Sequence, residues 1–396
     1  MKAQIHELAR SIHPEVVGFR RHLHQHPELS FAEHETARYI AARLREWQIP
    51  HQYPFAETGV VALIEGGQGP GPVVALRADT DALPIQEEND CAYRSQNEGV
   101  MHACGHDVHT SSLLGTARIL WTLRAHFAGT VKLIFQPAEE KAPGGASIMI
   151  KEGVLENPAP RTILAQHVHP PLEVGKVGFR PGIYMASADE IYLTVKGRGG
   201  HGAMPHDTVD PIAVSAQLIT ALQQLVSRQA NPTMPSVLTF GYIASDGGAT
   251  NVIPSSVRLK GTFRTFDEDW RNQALASMER IIGHVAAAFG ATVELDVTGG
   301  YPYLRNDEVL TERARAQAEA YLGAENVVEL PIRMTGEDFS FYSQVMPACF
   351  YRLGTGNAAK GITSPVHTPT FDVDEDSLRV GSGLMAWLAL QELAHN

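Results

Sequence analysis

Cysteine is scarce: Cys91, Cys104 and Cys349 are the only three in 396 residues. An odd, sparse set does not build a disulfide framework. Free thiols point to a reducing compartment, and the cytoplasm is expected. Long apolar runs are missing too. No window approaches the roughly 18 apolar residues of a membrane span, so no membrane partner is expected. The opening MKAQIHELAR lacks the apolar core and small-residue cleavage pattern of a secretion signal. No Lys/Arg run offsets the formal net charge of −12, which argues against a nucleic-acid partner held through phosphates. Internal repeats and low-complexity segments are absent.

What remains is an ordinary folded composition, 44% hydrophobic and 19% charged. The length suggests roughly two or three domains. Apolar residues at helical spacing predict helices over 3–25 and 33–47, separated at Pro27. The runs VVALI (60–64), VVAL (73–76), VKLIF (131–135) and TILAQHV (162–168) read as strands, with a helix following Asp107 and Pro170-Pro171 ending the last strand. Helices alternating with short apolar strands indicate an α/β fold with a mostly parallel central sheet and helices on both faces. From about residue 186 the pattern changes to β-α-β-β-α-β: strands at 189–197, 236–244, 256–265 and 291–297, with helices at 209–228 and 268–289. That order is the split-βαβ arrangement of a ferredoxin-like α+β unit. A helix at 308–322, a strand at 348–353 and a helix at 375–394 then resume the first pattern. The expected organisation is a discontinuous catalytic domain, 1–185 and 299–396, interrupted by an inserted domain at 186–298.

The chemistry-bearing residues cluster just past the apolar strands, where open α/β sheets place ligands. Read as extended chain, Cys104 and His106 point to one side, and a thiolate with an imidazole suits zinc and its neighbours. Glu139 and Glu140 are adjacent carboxylates, which repel unless a cation or proton compensates. His167 follows a strand, His367 lies in a polar turn, and Asp79 and Asp81 follow VVAL. One of these two aspartates could orient a ligating imidazole. His102 and His109 lie close by as decoys or supporting groups. In the inserted segment, GRGGHGAMPH carries His201 in a glycine-rich loop, TNVIP offers Asn251, and Arg264 could pair with a substrate carboxylate. Each position also has an ordinary reading: a buried free cysteine, a solvated glutamate pair, an Asp-built turn, an exposed loop histidine, a surface ion pair.

Taken together and in order, RRHLHQHPELSF, RADTDALP, MHACGHDVHT, FQPAEE, HVHP, GRGGHGAMPH, TNVIP, GEDFSFY and HTPTFDVDED span nearly the whole chain. This combination resembles the aminoacylase/carboxypeptidase G-like dinuclear metallopeptidases, in particular their amidohydrolase branch of hippurate and indole-acetyl-amino-acid hydrolases. The resemblance implies two divalent metal ions (Zn, Mn, Ni or Co), with Cys104, His106, Glu140, His167 and His367 as ligands. It implies that Cys104 bridges, with His106 and His167 on one ion and Glu140 and His367 on the other. Elsewhere in the family an aspartate bridges and a histidine stands at the position of Asp79.

By the same resemblance Glu139 is the general base and acid. Asp81 orients a ligand, and His201 reaches a neighbouring subunit's site from a lid domain, implying a homodimer or a higher homo-oligomer. The implied reaction is hydrolysis of N-acyl amino acids, with Asn251 and Arg264 as contacts for the substrate carboxylate. The alternatives are a dipeptidase or carboxypeptidase with the same metals, a metal-dependent binding protein, and a Cys104 nucleophile. One departure is Lys-Ala-Pro-Gly-Gly after Glu140, where many relatives place glycine directly; it bears on local shape.

Overall fold

The computed structural model describes residues 1–395. The chain forms two compact units. The first takes Met1–Tyr184, Arg305–Ile332 and the residues from Asp338 onward; the second takes Met185–Leu304 and Arg333–Glu337. No described helix is long and apolar enough to cross a membrane.

The first unit is built on one eight-stranded sheet. Its strands are β1 (His51–Phe55), β2 (Gly59–Glu65), β3 (Val73–Asp79), β4 (Thr130–Gln136), β5 (Thr162–Glu173), β6 (Val177–Phe179), β7 (Val327–Glu329) and β8 (Ala348–Gly356), in the order β1-β2-β4-β3-β5-β8-β6-β7. The middle four, β4-β3-β5-β8, run parallel, whereas β1 and β2 are antiparallel additions at one edge. Central strands are covered on both faces, so β3, β4 and β8 are almost entirely buried and read as continuous apolar runs. Leu76 registers with Leu133 on one side and with Leu164 on the other, which aligns the three strand ends.

Five longer helices belong to this unit: α1 (Lys2–Gln25), α2 (His34–Glu46), α3 (His106–Leu123), α4 (Glu308–Leu322) and α5 (Asp376–Ala394). In α2 the buried residues Ala37, Ile40, Ala41 and Leu44 fall on one stripe, as the helical period requires. By contrast α3 is buried on nearly every side, and Ser111, Ser112 and Thr116 face protein rather than water. Strand β5 is longer than the sequence suggests. It runs through Pro170-Pro171 to Glu173, and its pairing with β8 shifts register between Gly354 and Gly356, where proline offers no donor.

The second unit has a four-stranded antiparallel sheet with the order 236–245, 256–265, 188–196, 292–301. Helices Pro211–Gln224 and Glu268–Phe289 supply the two α elements of the ferredoxin-like order. Asp210 and Asp267 cap their N-termini by accepting backbone N–H bonds. The helix expected at 209–228 is an α-helix only to Gln224 and then widens into a π-helical turn, Leu225–Gln229. Ile191, Leu193, Leu218, Leu259 and Met278 form this unit's own core.

Leu164 is fully buried at the centre of the large sheet. Leu164→Ala should destabilise the protein by about 3 kcal/mol, through lost transfer energy and a residual cavity. Chemical denaturation measures it; a loss below about 1 kcal/mol would contradict this packing.

Candidate metal centre

The ends of the parallel strands bring the site together. β3 ends at Asp79 opposite Gln136, the last residue of β4, so Asp81 and the Glu139-Glu140 turn emerge side by side. The β3–β5 pairing closes at Arg77 and Ala165, just before His167.

Cys104 and His106 arrive differently from the extended reading. Gly105 adopts φ +81 and caps α3, so His106 is the first helical residue. A left-handed turn, not strand alternation, sets the two side chains. A Cβ on Gly105 would also lie 2.6 Å from Cγ2 of Val168, so the approach to β5 excludes a larger residue. His367 comes from the loop before α5 with φ +63, and its backbone N–H donates to the Ala103 carbonyl at 2.8 Å.

Five donors converge. Cys104 Sγ lies 3.5 Å from His167 Nε2 and 3.3 Å from His367 Nε2. His367 Nε2 is 3.2 Å from Glu140 Oε1, and His106 Nε2 is 3.9 Å from that same oxygen. Cys104, His106 and His167 form one set with donor atoms within 4.8 Å of one another; Cys104, Glu140 and His367 form a second, sharing the sulfur. Glu139 joins His106 and Glu140 in a third. His106 donates from Nδ1 to Asp81 Oδ1 at 3.1 Å, and His167 donates from Nδ1 to the Val168 carbonyl at 2.8 Å. With Nδ1 committed to these acceptors, Nε2 is the nitrogen each ring turns toward the other donors.

These residues fit a divalent metal. His106 Nε2 and Glu140 Oε1 are buried and have no hydrogen-bond partner among the described residues, which is costly unless something binds them. Burial disfavours a charged His106, but Asp79, Asp81 and Glu140 outweigh it and raise the imidazole to about 10. Burial and the carboxylates of Glu140, Glu139 and Asp79 push the Cys104 thiol well above its usual range. Burial, with Arg352 and His109, keeps His167 neutral.

Asp81 and Asp79 have separate tasks. Asp81 Oδ1 accepts from His106 and from the Glu139 backbone N–H at 3.0 Å; Oδ2 accepts from the Glu140 N–H at 2.9 Å and from the Ser30 hydroxyl at 2.6 Å. Asp79 accepts from His109 Nδ1 at 2.5 Å and from Arg77 at 2.6 Å. His109 Nε2 in turn accepts the Val168 N–H at 2.8 Å, so His109 props the His167 backbone and has no lone pair left for a metal. Burial works against ionisation of Asp79, but His106, His109 and Arg77 hold it well below the usual carboxylate range.

Other supporting groups were invisible as such in the sequence. Glu33 is fully buried and accepts from the Ala138 N–H at 2.7 Å and from Thr58 at 2.9 Å. Burial, with Asp81 nearby, raises Glu33 to about 7. Ala138 takes φ +53 immediately before Glu139. In the unusual Lys-Ala-Pro-Gly-Gly segment, a Cβ on Gly145 would lie 1.8 Å from the Pro137 carbonyl oxygen, so its second glycine permits the chain to fold back on this turn. The one available signal was a charged residue, Arg77, inside an apolar strand, since a buried charge demands partners.

The remaining candidates lie in the second unit. His201 pairs with Val252 in a two-stranded ribbon, and the Gly202 N–H donates to the Asn251 carbonyl, so His201 and Asn251 are neighbours. Both are exposed. Arg264 does not join them; it sits on the 256–265 strand, and its Nε donates to Thr262 at 2.9 Å. Burial lowers its guanidinium below the usual value.

Residues 75–391 match the model of peptidase family M20/M25/M40. The chain belongs to this family. It is 40% identical to N-acetylcysteine deacetylase of Bacillus subtilis over 382 residues, 96% of this chain and 97% of that protein. It is 45% identical to an N-acyl-L-amino acid amidohydrolase of Geobacillus stearothermophilus over 308 residues, 78% of this chain and 82% of the relative. Among solved structures, a dinuclear metal-binding M20-family peptidase of Bacillus subtilis superimposes with a TM-score of 0.81 at 38% identity, covering 97% of this chain and 99% of its own. The M20 protein described here is a metal-dependent amidohydrolase, a hydrolase of amide bonds.

Cys104 and His106 both hold protons in the metal-free protein, so a metal bound through them would displace those protons. Loading at pH 7 should release about two protons per chain, and apparent affinity should climb at least about tenfold per pH unit between pH 6 and 8. Calorimetry in buffers of different ionisation heat measures both. Proton-neutral, pH-independent binding would contradict the arrangement.

Proposed function

We propose that this M20 amidohydrolase cleaves N-acyl amino acids, hippurate-like ones among them, into a carboxylic acid and a free amino acid. The observation that carries the reading is the pair of donor sets sharing Cys104 Sγ. Cys104, with His106 and His167 in one set and Glu140 and His367 in the other, would hold two divalent ions. Mixed N, O and S ligation is compatible with Zn, Mn, Ni or Co. Bound there, the ions supply Lewis acidity that lowers the pKa of a water and polarises the scissile carbonyl.

The protein's own groups do the rest. Glu139, its backbone fixed by Asp81, takes the proton of the attacking water and returns it to the leaving nitrogen. Asp81 holds His106 by its Nδ1–H. His201, exposed on its ribbon, stabilises the developing oxyanion, supplied by a neighbouring subunit in a homodimer. Asn251 and the partly desolvated Arg264 take the substrate carboxylate. Three free cysteines, one of them the proposed ligand, support a reducing, cytoplasmic setting.

Glu139→Gln should retain bound metal and lose turnover by about a thousandfold on N-acetyl and N-benzoyl amino acids. Parallel assays on unblocked dipeptides separate this activity from a dipeptidase. Full turnover in the variant would remove Glu139 from its role, and a strong preference for dipeptides would replace the substrate class.

A further inference from the structure

The GEDFSFY segment has no part in the chemistry above, yet it runs directly against the base. The Asp338 backbone N–H donates to Glu139 Oε1 at 3.3 Å. The Asp338 carboxylate is itself fully buried and held from three directions. Arg77 Nη2 donates to its Oδ1 at 2.6 Å, the Gln136 amide donates to both oxygens at 2.8 and 2.7 Å, and the Ala146 N–H donates to Oδ2 at 3.0 Å. Arg77 also donates to Gln136 Oε1 at 2.9 Å and, through Nη1, to Asp79. Gln136 closes β4 before the Glu139 turn and Ala146 follows it, so one carboxylate spans the turn on both sides.

We infer that Asp338 is a positioning residue for Glu139: its clamped carboxylate fixes the N–H that holds one oxygen of the base. This rests on the reading of Glu139 as the base. A fully buried arginine between two carboxylates is a poor source of stability, because well-packed apolar residues of similar volume do as well or better. What the cluster does supply is rigidity, and a base displaced by about 1 Å loses on the order of a hundredfold in rate. Through Asp79 and His109 the same guanidinium also anchors the backbone beside His167, so the base and a metal-facing imidazole share one buried reference point.

Asp338→Asn is close to isosteric but turns an acceptor into a donor facing the Gln136 amide or the Ala146 N–H. For the folded, metal-loaded variant we expect kcat to fall about a hundredfold, with KM and metal per chain unchanged. Gln136→Met, which removes two donors yet leaves Arg77 and Asp338 in place, should lower kcat about tenfold, again without metal loss. Metal per chain by mass spectrometry and the thermal unfolding curve accompany both. A kcat within threefold of wild type in folded Asp338→Asn, or a loss that follows metal content or folded fraction, overturns the inference. If Asp338→Asn does not fold, Gln136→Met decides alone, and an unchanged kcat overturns the inference. Activity retained in Glu139→Gln would sink the general-base reading instead. Loss there with full activity in Asp338→Asn would sink only this inference.

Discussion

Asp81 gathers the site. Its two oxygens accept four hydrogen bonds from three distant stretches of chain: Ser30 between α1 and α2, His106 at the start of α3, and the Glu139 and Glu140 backbone after β4. Burial alone would push such a carboxylate toward neutrality, but the His106 and Ser30 side chains and the Glu140 N–H hold it below its usual value. Its charge and its acceptor geometry are thus one requirement. Were Asp81 neutral, His106 would lose the acceptor that presents Nε2, and the two glutamates would lose a shared anchor.

Around that anchor the charges do not balance by themselves. Asp79, Asp81, Glu139 and Glu140 face a protonatable His106 and the permanent cation Arg77, which Asp338 also draws upon. Excess negative charge in a low-dielectric pocket raises His106 and Cys104 and favours divalent cations. The features that cost the metal-free protein stability therefore create metal affinity. The same excess explains why the supporting shell is built from hydrogen bonds to carboxylates rather than from further bases.

Much of this was legible in the chain. Buried parallel strands such as VKLIF announce themselves by apolar content, and the amphipathic stripe of α2 by its period. The ferredoxin-like order of the second unit followed from strand and helix alternation. Three-residue strands such as Val177–Phe179 and Val327–Glu329 were not readable, because so short a run has no period and exists only through its partners. The geometry of Cys104-Gly105-His106 was misjudged for a similar reason: glycine permits both extended and left-handed backbone, and contact with Val168 decides between them. Glu33 and Asp338 looked like ordinary charged residues, whereas Arg77 stood out as a charge inside an apolar strand. Only tertiary packing reveals that each is buried against the Gln136–Glu140 turn.

The central claim is that turnover depends on two ions sharing Cys104. Metal-stripped protein titrated with a single divalent metal, with hydrolysis of an N-acyl amino acid followed at each addition, tests this directly. The account predicts activity that rises with occupancy and levels off at two equivalents per chain. Undiminished turnover in protein shown to be free of metal would contradict it.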